Sequence, residues 1–305
     1  MITKKTVLVV GAGGSVPFGF PTGLKLKSDI LEHPIRQALM NMCKYPPDEV
    51  SSFLEDLRKS GSLSVDAFLE YRKEYLDIGK AAIALALIPK EIPGSKLYDQ
   101  SEGQTWYDYL LNKMKSSFDA FRDNKLTILT FNYDRSLDFY LREALSSNYG
   151  KKIDEVEECL SKIPIIHLYG QLGTLSERPY HSSELNKETI EKAASGIRIV
   201  HESTPITDQF KQARAALTEA SFVYFVGFGY ALINLRRLGV EQIPRNAQIF
   251  GSAYGMTDME KGQVEKWFSE GMPPPIGNRI VSRIKLADNN YDALNFLRNV
   301  RQIDE

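Results

Sequence analysis

Near its start the chain runs Thr6-Val7-Leu8-Val9-Val10, apolar at every place after the threonine, and turns at once into Gly11-Ala12-Gly13-Gly14-Ser15. A strand that faces water on one side alternates apolar and polar residues. One with no alternation is buried on both faces, as in a parallel sheet covered by helices. Leu126 to Phe131, Ile163 to Leu168, Phe222 to Phe228 and Ala247 to Phe250 have the same character. Ile197 to Val200 and Ile280 to Leu286 are weaker candidates, since charged or hydroxyl residues interrupt them. Helical patterns lie between several of these runs, which predicts an open α/β sheet, mostly parallel and flanked by helices.

The stretch from about Leu24 to Asp123 breaks the alternation. Its apolar residues recur at three-to-four spacing: Phe53, Leu54 and Leu57; then Phe68, Leu69, Tyr71 and Tyr75; then Leu110, Leu111, Met114, Phe118 and Phe121. This periodicity predicts a helical module inserted after the first strand, with a loop from Pro89 to Gly103 around Pro93-Gly94. A second, polar excursion runs from Leu175 to Gly196 and fits a lid or a surface insertion. Trp106, Tyr107 and Tyr109 fit core packing or an oligomer surface.

With 38 Lys and Arg against 39 Asp and Glu, a net charge of -1 and no long run of one sign, nucleic acid is not expected as a direct partner. Cys43 and Cys159, the only 2 cysteines, cannot supply a four-thiolate metal site and read as free thiols of a reducing cytoplasm. The run Ala81 to Ile88, closed by Pro89, falls short of the roughly twenty apolar residues a membrane span needs. Val7 to Val10 is too short for the core of a signal peptide. A cytoplasmic protein is expected.

Four segments place polar or glycine residues at the ends of the apolar runs, where open α/β sheets bind their ligands. Gly11, Ala12, Gly13 and Ser15, followed by Gly19-Phe20-Pro21-Thr22-Gly23, fit a loop that approaches a pyrophosphate or a structural turn; Val16 stands where a dehydrogenase fingerprint wants its third small residue. Thr130-Phe131-Asn132-Tyr133-Asp134 offers Asn132, which can both donate and accept, and Asp134, which alone reads more simply as a helix cap. His167-Leu168-Tyr169-Gly170 brings a histidine to a strand end, where a hydrogen-bonding role is common. Val226-Gly227-Phe228-Gly229-Tyr230, with Asn234 beyond, fits a second close backbone approach or a tight turn. His33, His181 and His201 carry only structural readings.

Read in order, Gly11-Ala12-Gly13-x-Ser15 with Gly19-x-Pro21, Thr130-x-Asn132-x-Asp134, His167 with Gly170, and Gly227-x-Gly229 resemble the motif series of the sirtuin superfamily. The match is closest to the bacterial sirtuin-like branch that degrades NAD in antiphage defence. It spans Val7 to about Asn234, with Phe250-Gly251-Ser252 as the next strand end. The resemblance implies a Rossmann-like NAD-binding and catalytic domain formed by residues 1–30 and 124–305, with 31–123 as the helical insertion. It places Gly11, Ala12, Gly13 and Ser15 around the phosphates, with Pro21, Gly170, Gly227, Gly229 and Asn234 as further nucleotide contacts. Asn132 and His167 become the catalytic pair and Asp134 a positioning residue near the nicotinamide ribose. Ser252 and Tyr254 are candidates on the adenine side.

Two departures from the deacetylases follow. The four cysteines of their zinc module are missing, so no zinc is expected, and Phe131 stands where they carry glutamine. The function implied is hydrolysis of NAD to nicotinamide and ADP-ribose. Nicotinamide leaves as a neutral base, so the glycosidic bond breaks without protonation; the protein has to hold the oxocarbenium ribose and offer it water. Asn132 suits orientation of that water or of the ribose hydroxyls, and a histidine such as His167, with an ordinary pKa of about 6.5, suits proton uptake from a ribose hydroxyl or from water. An NAD-dependent protein deacylase and a non-catalytic NAD or ADP-ribose sensor are the alternatives. The branch further implies a homo-oligomer, or a separate defence partner such as a HerA-like ATPase, as the means of control.

Overall fold

The computed structural model describes residues 1–92, 96–98, 103–182, 184–199, 206–269, 282–300 and 303. The unalternating run forms strand β1, Thr6–Val10, and all five of its residues are buried. It sits at the centre of a parallel sheet because no position on it tolerates water. On one side follow β2 (Leu126–Thr130) and β3 (Ile165–His167); on the other, β4 (Phe222–Val226), β5 (Gln248–Gly251) and β6 (Ile284–Leu286). The order β3-β2-β1-β4-β5-β6, with every pair parallel, is the doubly wound Rossmann-like arrangement expected from the sequence. The register puts Val10, Thr130, His167 and Val226 in one row, so the candidate segments all leave the sheet on its carboxyl edge at the same level.

Several element limits differ from the sequence expectation. β2 stops at Thr130, β3 begins at Ile165 and β4 stops at Val226, because the neighbouring residues turn into loops or loop packing. Ile197 makes only an isolated antiparallel bridge with Gly170. Ile280 and Val200 lie outside the described residues, as do Pro93-Gly94 and His201.

The two faces of β1 feed separate apolar clusters. Leu8 and Val10 join one that includes the helices between β1 and β2; Val7 and Val9 join the other, with Phe210, Leu235 and Phe268. In the first, the helix Leu76–Leu87 is buried at every residue from Ala81 to Leu87, with its charged residues Asp77 and Lys80 confined to its first turns. The helices Gly23–Ile30, His33–Asn41 and Lys187–Ser195 pack around it. The helical segment therefore shares one continuous core with a face of the sheet. Two expected helices are broken: Tyr75 lies in a short turn after Val65–Tyr71, and Lys115 turns extended between Trp106–Met114 and Phe118–Phe121. Trp106 and Tyr107, each 1% exposed, are core residues under the first glycine loop, where the indole N–H donates to the Gly14 carbonyl at 2.7 Å. Among the described residues no helix is long and apolar enough to cross a membrane.

Candidate functional site

The chain winds away from β1 in both directions, and an open sheet of this order has its crevice at that reversal, outside the carboxyl ends of β1 and β4. There the two glycine loops interlock. A Cβ on Gly11 or Gly13 would lie 2.6 or 2.9 Å from the Gly227 carbonyl oxygen, and one on Gly227, whose φ is +57°, would lie 2.0 Å from the Gly14 nitrogen. Gly11 N–H donates to Val226 and Gly13 N–H to Gly227, at 3.0 and 2.9 Å. These glycines are thus required first by backbone-on-backbone packing between the loops. Gly229 alone of the set has open space where a side chain would stand.

Above the interlock lies a cleft of about 890 Å³, lined by Ala12, Gly13, Thr22, Gly23, Gly227 and Gly229, and on the far side by Ser252, Tyr254, Trp267 and Tyr291. The sequence reading anticipated Ala12, Gly13, Gly227 and Gly229 here, and offered Ser252 and Tyr254. Thr22 and Gly23 lay within the second glycine segment it named, and it missed Trp267 and Tyr291. Ser252 also carries structure, since its hydroxyl accepts from Gly227 N–H at 2.8 Å. Pro21 is half-buried beside the cleft and not among its lining residues.

Asn132 and Ser15 stand behind this cleft, on the side of the helical segment. The Asn132 amide donates to the Gly11 carbonyl at 3.1 Å and to the Ser15 hydroxyl at 2.9 Å. A carbonyl can only accept, so the atom facing Gly11 is the nitrogen, and the orientation of the amide is fixed. Its Oδ1 is then buried with no hydrogen-bond partner among the described residues. An unpaired buried carbonyl of this kind costs about 1–3 kcal/mol, and such atoms stand out in native proteins as places where a ligand or water is received. Asp134 supports the same corner. It accepts from the Ser136 amide at 3.1 Å and from the Ser136 hydroxyl, at the start of the helix Ser136–Tyr149. The cap position of that helix is Arg135, so Asp134 stands one residue before it and is not the N-cap expected from the sequence. Burial pushes its carboxyl above the ordinary range, against the pull of hydrogen bonds from Ser136 and Ser15.

His167 is held at both ring nitrogens. Nδ1 lies 3.1 Å from the Asn132 carbonyl oxygen and Nε2 lies 3.2 Å from the Asp138 carboxylate. Burial lowers its pKa, the Asp138 charge and the two hydrogen bonds raise it, and the net lies above the ordinary value. Acceptors at both nitrogens favour the doubly protonated ring, and in that form it has no lone pair to take a proton. A general base at this position must first part from Asp138, a partner the sequence reading did not name.

Two further expected contacts are placed elsewhere. Gly170, φ +74°, packs against Gly196, whose carbonyl oxygen would lie 2.0 Å from an added Cβ, so it anchors the polar excursion and does not line the cleft. Asn234 accepts a hydrogen bond from the Tyr169 hydroxyl at 2.5 Å, and its position is that of a side-chain cluster across the sheet edge. Sequence reasoning also missed a buried ion cluster. Glu91 receives Arg135, 0% exposed, at 2.5 Å, and Arg178 as well. It ties the helical segment to the chain after β2 and to the excursion after β3. Among the described residues no group of His, Cys, Asp and Glu could hold a metal ion.

No family model and no curated protein matches the chain. Among solved structures, it is similar to a Sir2 bound to acetylated peptide, with 15% identity, 97% of this chain and 91% of that chain covered, and a TM-score of 0.41. It is similar also to Sir2Tm bound to a propionylated peptide, with 14% identity, the same 97% and 91% coverage, and a TM-score of 0.39. A Sir2 variant with p53 peptide and NAD gives 16% identity, 97% and 91% coverage, and a TM-score of 0.40.

Proposed function

We propose that the chain is an NAD hydrolase of the sirtuin-like type, which cleaves NAD to nicotinamide and ADP-ribose. The observation that supports this most is the Asn132 amide: its nitrogen is tied to Gly11 and Ser15, and its oxygen is buried, unpaired and next to the loop that leaves β1. The cleft at the sheet reversal would take the ADP portion, with Tyr254, Trp267 and Tyr291 offering rings to the adenine. Nicotinamide would then lie toward Asn132. Its departure with the bonding electron pair leaves a cationic ribose; Asn132 Oδ1 would accept from the attacking water and aim it at the anomeric carbon. As the new C–O bond forms, water loses a proton, and His167 would take it at Nε2 once that nitrogen has passed its own proton to the Asp138 carboxylate and turned away from it. Asp134 would hold Ser15, and through it Asn132, in place. In keeping with the branch the motifs resemble, the activity would serve antiphage defence by NAD depletion, with control by assembly or a separate partner.

A second reading, a non-catalytic NAD or ADP-ribose sensor, draws on the occupied nitrogens of His167, which give the ring nothing with which to take a proton. One measurement separates the readings. Purified protein and Asn132→Ala are incubated with NAD, with and without an acetyl-lysine peptide, and the products are weighed by mass spectrometry. Nicotinamide and ADP-ribose without peptide support the hydrolase, acylated ADP-ribose with peptide the deacylase, and binding without turnover the sensor.

A further inference from the structure

A row of side-chain contacts crosses the carboxyl edge of the sheet beside Asn132 and His167. At one end, Asp66 of the helix Val65–Tyr71 accepts a hydrogen bond from the Tyr133 hydroxyl. From the same helix, Glu70 lies 3.8 Å from Arg237, whose guanidinium donates to the Tyr169 hydroxyl at 2.8 Å; that hydroxyl in turn donates to Asn234. The helix Val65–Tyr71 belongs to the apolar cluster on one face of the sheet. The helix Leu232–Leu238, which carries Asn234 and Arg237, belongs to the cluster on the other face. Tyr169 packs against both clusters, so it straddles the edge.

The anchoring rings are the residue after Asn132 and the residue two after His167. Asn132 is 9% exposed, the His167 side chain is 8% exposed, and the lining of the large cleft does not include either. A buried carbonyl with no hydrogen-bond partner among the described residues thus lies outside the lining of the cleft, and a polar strap spans the strand ends beside it. The contacts that hold the strap are one ion pair, with side chains 10% and 18% exposed, and three hydrogen bonds, all polar and none covalent. Packing of Val65, Phe68 and Leu69 fixes the helix on the core.

We propose that these contacts form a clasp that shuts the approach to Asn132, so that the chain rests closed and is activated when the Glu70–Arg237 and Asp66–Tyr133 contacts part. This rests on the hydrolase reading above for its consequence and on the crossing itself for its existence. A ligand or partner that binds the open arrangement better than the closed one would drive the change by that difference in affinity.

The test uses the full chain as wild type, Glu70→Gln, Arg237→Gln and the double variant. Backbone hydrogen exchange of residues 65–71, 131–136 and 167–171 is followed beside the rate of NAD association and nicotinamide release. Glu70→Gln keeps the shape of the side chain, so it guards against loss of fold in Arg237→Gln. Exchange in the three segments, and NAD association, should each rise about tenfold, the equivalent of about 1.4 kcal/mol, with the double variant no faster than either single. Nicotinamide release should rise with them. Unchanged exchange and association overturn the clasp; so does faster exchange with slower release, which would mean that the contacts complete the site. Faster exchange and association with no cleavage by any form keep the clasp and overturn the hydrolase reading alone.

Discussion

Asn132 donates to the Ser15 hydroxyl at 2.9 Å across 117 residues of sequence, and this bond fixes which end of its amide remains unpaired. Ser15 ends the single helical turn Ala12–Ser15 that follows β1, and Asn132 leaves the end of β2. The hydrogen-bonded pairing of those strands therefore sets the geometry of the candidate centre.

If Asn132 Oδ1 orients the water, Asn132→Ala should lower nicotinamide release about 100- to 1,000-fold, the usual loss for a positioned polar group. Ser15 and the Gly11 carbonyl lose a partner, so stability should fall by about 1–3 kcal/mol. Asn132→Asp is the sharper variant, since it keeps the shape and loses the donor to Gly11. Steady-state kinetics beside chemical denaturation check both. A folded Asn132→Ala enzyme at full rate would remove this residue from the mechanism.

The interlock of the glycine loops makes Gly227→Ala a backbone lesion. At φ +57° a side chain costs on the order of 1 kcal/mol by itself, and here the Cβ meets the Gly14 nitrogen at 2.0 Å, so the loops must separate. A loss of at least about 2 kcal/mol is expected, read as a lower denaturation midpoint. Gly229→Ala, with open space at the Cβ, should leave stability within about 0.5 kcal/mol of wild type.

The raised pKa of His167 has a stability consequence with a definite sign. The folded protein binds the proton more tightly than the unfolded chain, whose histidine titrates at about 6.5. The stabilisation is therefore complete below pH about 6.5 and disappears as pH rises through the folded value above it. Asp138→Asn should cost stability at pH 5.5 and progressively less toward pH 9, measured by urea denaturation at each pH. A penalty that grows with pH would contradict the imidazolium.

Glu91 balances two buried guanidinium groups, Arg135 and Arg178, so Glu91→Gln leaves both charges without a counter-ion. Breaking a buried pair in this way costs about 3–5 kcal/mol. Glu91→Gln should unfold at clearly lower denaturant, while Glu219→Gln, at the exposed Lys5–Glu219 pair, should leave the denaturation midpoint where it is.

Much of the fold was legible because burial on both faces of a strand removes alternation, and that is visible in Val7 to Val10 without any partner being known. The carboxyl-edge location of Gly11, Asn132, His167 and Gly227 followed from the same pattern. Pairing between groups was not legible. Asp138, Glu91 and Asp66 look like ordinary surface acids in sequence; only the approach of His167, Arg135 and Tyr133 gives them roles. Gly170 and Asn234 carried motif-like signals and were drawn instead to Gly196 and Tyr169.

The sequence by itself determined a parallel sheet with glycine and polar residues at its strand ends, because side-chain burial and backbone freedom are properties of single positions. Tertiary structure decided which of those residues line the cleft, which carbonyl stays unpaired and which lone pair is occupied. Hydrogen bonds and clashes depend on atoms brought within about 3 Å of each other by packing, and no local pattern records that distance.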